Sequence, residues 1–268
     1  SMNYLEAIFL GLLQGLTEFL PVSSSGHLVI AQNILGITQP GVTFEVMVHF
    51  GTLLSIVWVF WHDISKLLKG FFSDNKQKKL FLLLLAGTLP TALIGVGFSS
   101  FFKGIFENPL VVGFMLLITG ILVWVIARVS LTVKTKNINT IGIGDAIIIG
   151  VCQGLAIIPG ISRSGSTILG SLLRGLNQET ALKYSFLLAI PAIGGAAFLE
   201  LWECLQYGGT PENIQSYLLA SVVAFLTGIF AIKTFINLLK KAKFHYIAYY
   251  CWAAGAFTIL YTLFLLVL

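Results

Sequence analysis

Charge is what this sequence has least of. Of its 268 residues only 10% are charged, 16 basic and 11 acidic, against about 25% in an ordinary soluble domain. A soluble chain of this length must cover a large surface with polar groups. So small a charged set excludes a soluble globular enzyme, a disordered chain and a nucleic-acid-binding protein. Cysteine is scarce as well. Cys152, Cys204 and Cys251 stand apart in apolar stretches without C-x-x-C spacing, so they read as small core residues with no redox role. Alternating apolar segments of about ten residues are missing, which excludes an outer-membrane β-barrel. No basic region precedes the first apolar run, and Glu6 falls where a cleavable leader needs neutral or positive residues, so no cleavable leader is expected.

What the sequence does have is apolar length. Hydrophobic residues make up 57% of the chain, and mean hydropathy is +0.92. A membrane-crossing helix needs about 20 largely apolar residues. Six stretches qualify, at 42–62, 79–100, 108–128, 180–205, 216–240 and 245–268. Two further regions, 4–36 and 143–175, are apolar but broken in the middle. The breaks are Phe19-Leu20-Pro21-Val22-Ser23-Ser24-Ser25-Gly26-His27 and Ile158-Pro159-Gly160-Ile161-Ser162-Arg163-Ser164-Gly165-Ser166. Each arm is too short to cross a bilayer, so each region reads as a re-entrant helix hairpin. Irregular backbone survives at membrane depth only where it lines a polar cavity or is buried in protein.

The two broken regions are copies. Gly11-x-x-Gln14-Gly15-Leu16 matches Gly150-x-x-Gln153-Gly154-Leu155 at an offset of 139 residues (Gln14 to Gln153), and the same offset carries Ser23-Ser24-Ser25-Gly26 onto Ser162-Arg163-Ser164-Gly165. The expected fold is therefore an all-α polytopic membrane protein built as an inverted repeat. Each half, 1–140 and 141–268, holds one hairpin and three transmembrane helices. An odd number of spans per half turns the second copy upside down, and such repeats place their site where the broken helices meet. Loop charge orients the chain. Lys66, Lys69, Lys76, Lys78, Lys79, Arg128, Lys134, Lys136, Arg174, Lys183, Lys240, Lys241 and Lys243 fall on one side, whereas Lys103, Glu107, Glu203 and Glu212 fall on the other. The basic side is expected to be cytoplasmic, with both termini and the first hairpin on the outer face of a bacterial inner membrane. The net charge of +5 thus reflects topology, and no nucleic-acid partner is expected.

Ionisable groups at membrane depth are costly, and each is a functional candidate. Gln14 and Glu18 are four apart and share a helix face; two oxygen donors there suit a hard divalent cation, or they bond a neighbouring helix. Ser23, Ser24, Ser25 and Gly26 form an anion cradle ahead of a helix. His27 can attack phosphorus or move a proton, or Ser24 can be the nucleophile with His27 as its base. In the second break, Gly160, Ser162, Ser164 and Thr167 surround Arg163, whose planar fork suits phosphate oxygens; the alternative partner for Arg163 is Glu18. Glu45 and His49 read as contacts between helices, Lys183 as a solvated helix start and Asp145 as a helix cap. Taken together, the groups describe a site for a lipid-linked phosphate.

Gln14-Gly15-Leu16-Thr17-Glu18-Phe19-Leu20-Pro21-Val22-Ser23-Ser24-Ser25-Gly26-His27 resembles the (E/Q)-x-x-x-E and serine–histidine signature of bacterial undecaprenyl-pyrophosphate phosphatases of the bacitracin-resistance type. Pro159-Gly160-Ile161-Ser162-Arg163-Ser164-Gly165-Ser166-Thr167 resembles their P-G-x-S-R-S-x-x-T motif, and Phe44-Glu45-Val46 and Tyr184-Ser185-Phe186-Leu187-Leu188-Ala189-Ile190-Pro191 extend the likeness. The resemblance implies hydrolysis of undecaprenyl pyrophosphate to undecaprenyl phosphate, recycling the carrier lipid of cell-wall synthesis. It implies a divalent cation, Mg²⁺ or Ca²⁺, on Gln14 and Glu18, with Glu18, Ser24, His27 and Arg163 catalytic. Many members carry Glu at the first motif position, so Gln14 leaves Glu18 as the main anchor. The rival reading is a transporter or flippase for a polyprenyl phosphate, since inverted repeats with broken helices are typical of transporters. The partners expected are the polyprenyl diphosphate lipid, the surrounding membrane lipid and, as one candidate assembly, a second copy of the chain in a homodimer.

Overall fold

Local signals start and stop the helices. The Glu6 N–H donates to the Asn3 side chain while the Asn3 N–H donates to the Glu6 carboxylate, a capping box that opens α1 (Tyr4–Thr17). A break follows, then α2 (Ser24–Leu35), which stops at Gly36 in the left-handed region, φ 65°. After it come α3 (Gly41–Val59), α4 (Trp61–Gly70), α5 (Asn75–Gly97), α6 (Ser99–Ile105) and α7 (Pro109–Val129). The second half runs α8 (Ile143–Leu155), α9 (Arg163–Leu173), α10 (Gln178–Tyr207), α11 (Ile214–Lys240) and α12 (Phe244–Val267). The structure, a computed structural model, describes residues 2–37, 41–105, 108–132, 134–207, 213–240 and 244–267. It leaves undescribed the side chains of residues 41, 42, 103, 200, 201, 203–205, 207 and 238–240. Glu107, Glu212, Lys241 and Lys243 therefore lie outside the described residues, as do the side chains of Lys103, Glu203 and Lys240. Among the described residues the only β pairing is an isolated bridge between Lys136 and Leu176.

Five helices, α5, α7, α10, α11 and α12, are long and apolar enough to cross a membrane, and the bent pair α3 and α4 passes the same test only when taken together. That pair corrects the continuous span expected at 42–62. The helix breaks at Phe60, and α4 leaves α3 at 75°. The cause is composition: His62, Asp63, Lys66 and Lys69 follow within ten residues, and a helix carrying them cannot continue through hydrocarbon. Instead α4 buries Leu67 and leaves Trp61, Lys66 and Lys69 exposed.

Packing pairs the halves. Helix α1 lies on α11 and α8 lies on α5, while α7 packs with α12 and α3 with α10 and α11. Small residues permit the close approaches. A Cβ on Gly11 would lie 2.5 Å from the Ala220 carbonyl oxygen, and one on Gly150 would lie 2.0 Å from the Gly87 carbonyl oxygen. Thr91 Oγ then donates to the Gly150 carbonyl at 2.9 Å.

Helix α10 separates two polar ends by roughly 45 Å at 1.5 Å per residue. At its start Lys183 pairs with Asp63. Nearby, buried Asp145 accepts from Lys136 Nζ (2.9 Å), Arg174 Nε (2.8 Å) and the Gly142 N–H (3.0 Å). Asp145 thus caps α8 as expected, and Lys183 is ion-paired rather than simply solvated. At the other end Ser216 Oγ donates to the Met2 carbonyl and Tyr4 Oη to Gln215 Oε1, both at 2.9 Å. The first hairpin opens at one end of the bundle and the second at the other.

Candidate active site

Each hairpin turns at a strained or glycine-dependent point. Glu18 ends α1, its N–H donating to the Gln14 carbonyl. Phe19 is fully buried, edge-on to Phe186 at 5.7 Å, and holds the break in place. Ser23 has φ 68°, the one non-glycine residue with positive φ among the described residues, a conformation costing about 1–3 kcal/mol. The Gly26 N–H donates to its Oγ at 3.3 Å, so Ser23 is the N-cap of α2. In the second break Gly160 has φ 94°. Thr119 of α7 grips this turn twice, its Oγ donating to the Gly160 carbonyl (2.7 Å) and accepting from the Ser162 N–H (3.0 Å). Ser162 caps α9 as Ser23 caps α2, accepting from the Gly165 N–H at 3.1 Å.

The two breaks touch. A Cβ on Gly26 would lie 3.1 Å from Gly160 Cα, and Ser164 Oγ donates to the Leu20 carbonyl at 3.2 Å. The starts of α2 and α9 are thereby brought together, and helix starts carry outward N–H groups and partial positive charge.

Glu18 is the centre of the site. It is 6% exposed, and a buried carboxylate persists only with partners. Arg163 supplies two donors to Oε1, Nη2 at 3.0 Å and Nε at 3.3 Å. Oε2 accepts from Ser24 Oγ at 2.5 Å and Gln14 Nε2 at 3.1 Å. His49 Nε2 stands 3.5 Å from the same oxygen, while its Nδ1 lies 2.7 Å from the Glu45 carbonyl and must donate to it. Two buried atoms of this cluster, Arg163 Nη1 and Gln14 Oε1, have no partner.

The sequence candidates divide accordingly. Gln14, Glu18, Ser24 and Arg163 meet. His27 is buried nearby but is not paired with Ser24: its Nδ1 lies 2.8 Å from the Ser23 carbonyl and its Nε2 2.7 Å from Tyr250 Oη. Ser23 and Ser162 are caps, and Ser25 Oγ lies 3.4 Å from Ser23 Oγ. Thr167 Oγ turns to its own helix, donating to the Arg163 carbonyl at 3.0 Å. His49, read from sequence as a contact between helices, reaches the site. Tyr250 carried no signal, because an aromatic residue in an apolar span is ordinary.

Among the described residues no three His, Cys, Asp or Glu side chains are placed to hold a divalent cation. Gln14 turns its Nε2 donor to Glu18 and leaves Oε1 buried without a partner, so that oxygen is a free hard donor of the kind a cation such as Mg²⁺ takes together with phosphate and water.

The family model for the bacitracin resistance protein BacA matches residues 7–257, which includes both breaks and every residue of this site. The chain belongs to the BacA family. It is 42% identical to the undecaprenyl-diphosphatase of Alkaliphilus metalliredigens, over 98% of this chain and 100% of that protein. It is 44% identical to the undecaprenyl-diphosphatase of Halothermothrix orenii, over 97% of this chain and 98% of that one. For a BacA-family chain the geometry has a direct meaning: the motif residues come from two distant segments, and folding joins them on one carboxylate.

Proposed function

We propose that this protein is a multi-pass membrane phosphatase hydrolysing undecaprenyl diphosphate to undecaprenyl phosphate and inorganic phosphate. Its near-full-length relatives named for that activity support the reading. So does one feature of the site: Arg163 rests on Glu18 with Nη1 buried and unpartnered, at the junction of two helix starts. A planar fork with an unused donor suits a diphosphate.

The same geometry orders the chemistry. An incoming diphosphate draws the Arg163 fork from Glu18. Freed of that cation, Glu18 becomes a stronger base for Ser24 Oγ, already 2.5 Å away. Ser24 Oγ bonds to the terminal phosphorus and its proton passes to Glu18. The bond from that phosphorus to the bridging oxygen breaks, and undecaprenyl phosphate leaves with that oxygen. Water then attacks the phosphoserine, giving one proton to His27 Nε2, which passes it to solvent before the next turnover. Glu18 returns its proton to Ser24 Oγ as inorganic phosphate departs. Arg163 and the helix starts stabilise the charge that develops, where most phosphoryl-transfer catalysis lies. A Mg²⁺ or Ca²⁺ ion held by Gln14 and Glu18 would supply further neutralisation of the diphosphate.

We further propose an inverted repeat with the basic end cytoplasmic and the first hairpin opening to the outer face of a bacterial inner membrane. The reciprocal packing of α1 on α11 and α8 on α5 supports the repeat, and Lys66 and Lys69 of α4 with Lys76, Lys78 and Lys79 at the start of α5 support the orientation. The deciding experiment for the chemistry is rapid quenching of turnover in denaturing detergent at neutral pH, which preserves both phosphoserine and phosphohistidine, with substrate labelled at the terminal phosphorus. Label on Ser24 is expected; label on His27, or none under conditions of rapid turnover, overturns the assignment of the nucleophile.

A further inference from the structure

His27 has one nitrogen available for chemistry, and another helix holds it. A carbonyl oxygen only accepts, so Nδ1 at 2.8 Å from the Ser23 carbonyl carries a proton. In the neutral ring Nε2 is then the lone-pair atom, and the Tyr250 hydroxyl, 2.7 Å away, donates to it. The two rings also stack, with centroids 5.6 Å apart and planes 11° from parallel. Tyr250 comes from α12, at the far end of the chain. The next residue, Cys251, directs its Sγ to the Pro21 carbonyl at 3.7 Å, so two successive residues seat α12 on the first break. Tyr250 is itself 50% exposed while His27 is 8% exposed. The phenol therefore stands between the buried imidazole and the open side of the fold.

We propose that Tyr250 is a positioning residue for His27: its hydroxyl occupies and orients Nε2, the atom that takes the water proton, and yields that place to water during the second half of the reaction. The role rests on the hydrolase reading above. Two contacts divide the work. The Ser23 carbonyl sets which nitrogen carries the proton, and the strained φ of Ser23 aims that carbonyl. The Tyr250 hydroxyl and ring set where the lone pair points. Without the hydroxyl the imidazole keeps its tautomer but loses the partner that fixes its plane, so the chemical step suffers while the diphosphate contacts at Arg163 and Glu18 stay intact.

Tyr250→Phe tests this, since it keeps the ring and removes only the hydroxyl. For purified protein in detergent with undecaprenyl diphosphate, kcat is expected to fall about tenfold, the scale of one positioning hydrogen bond, with KM near the wild-type value. In a His27→Ala background the same change is expected to do nothing further, because the atom it positions is gone. In ¹⁵N-histidine spectra the Nε2 signal of His27 should move toward that of a free unprotonated nitrogen while Nδ1–H is retained. Wild-type kcat in Tyr250→Phe, a full additive loss in the double variant, or an unmoved Nε2 signal each overturns the proposal. If instead the wild-type protein releases no phosphate, the hydrolase reading fails, and the ¹⁵N spectra still decide whether Tyr250 holds His27.

Discussion

Glu18 collects, on one buried carboxylate, groups from both halves: Arg163 on Oε1, and Ser24, Gln14 and His49 at Oε2. Such a group is expensive to disturb. Arg163→Ala and Glu18→Ala should each lower the rate of phosphate release by roughly 10²-fold or more, as when one charge-stabilising donor is removed from a reaction site. Arg163→Lys should recover little, because an ammonium cannot reproduce the fork. Steady-state kinetics at saturating divalent cation checks both, and wild-type turnover in any of the three would refute the site. Glu18 and Arg163 were legible in the sequence because an ionisable residue inside an apolar stretch needs a reason. His49 was legible only as a polar residue on a span, and Tyr250 not at all, since what matters for each is the neighbour it meets across helices.

At the scale of elements, the hairpin turns carry the strain. Ser23 is both an N-cap and a residue at φ 68°. Ser23→Val should lose the cap and worsen the backbone strain, costing about 1–3 kcal/mol. Ser23→Gly, which tolerates the conformation and is a fair cap, should cost only a few tenths. Thermal unfolding in detergent will rank the two; equal melting temperatures would show that the strain is not stored there. The approach of α8 to α5 makes a similar case. Gly150→Val has no space beside the Gly87 carbonyl and should destabilise by roughly 1–3 kcal/mol through overpacking, seen as early melting or poor yield. The repeat offset also explains why there is one site rather than two. It places Arg163 on Ser24, Ile157 on Glu18 and Ser166 on His27. At these positions one hairpin carries the carboxylate and imidazole and the other the guanidinium, so neither is complete alone.

At the scale of the whole molecule, the two hairpins open at opposite ends of the bundle, and the basic end is tied by ion pairs. Asp63→Lys should weaken the link from α4 to α10 by up to about 1 kcal/mol, and Asp63→Lys with Lys183→Asp should restore it; an unrestored melting temperature in the double variant would deny that link. Single cysteines introduced at exposed Phe72 and Tyr4 should react with an impermeant maleimide from opposite sides of the membrane, Tyr4 from outside, once native cysteines are removed; labelling from one side would reject the topology. The sequence by itself determined the fold class, the two breaks and the residue types of the site, because hydropathy, proline and glycine act locally and a charge in an apolar run is conspicuous. It missed the bend after Val59 in degree, since a run of apolar residues ending in charged ones does not show where a helix turns. Which groups meet was decided by tertiary structure alone. The pairing of Ser24 with Glu18 rather than His27, the approach of His49 and the hydroxyl of Tyr250 on His27 all join residues that are far apart in the chain or on different turns, and their distances are set by how the helices pack.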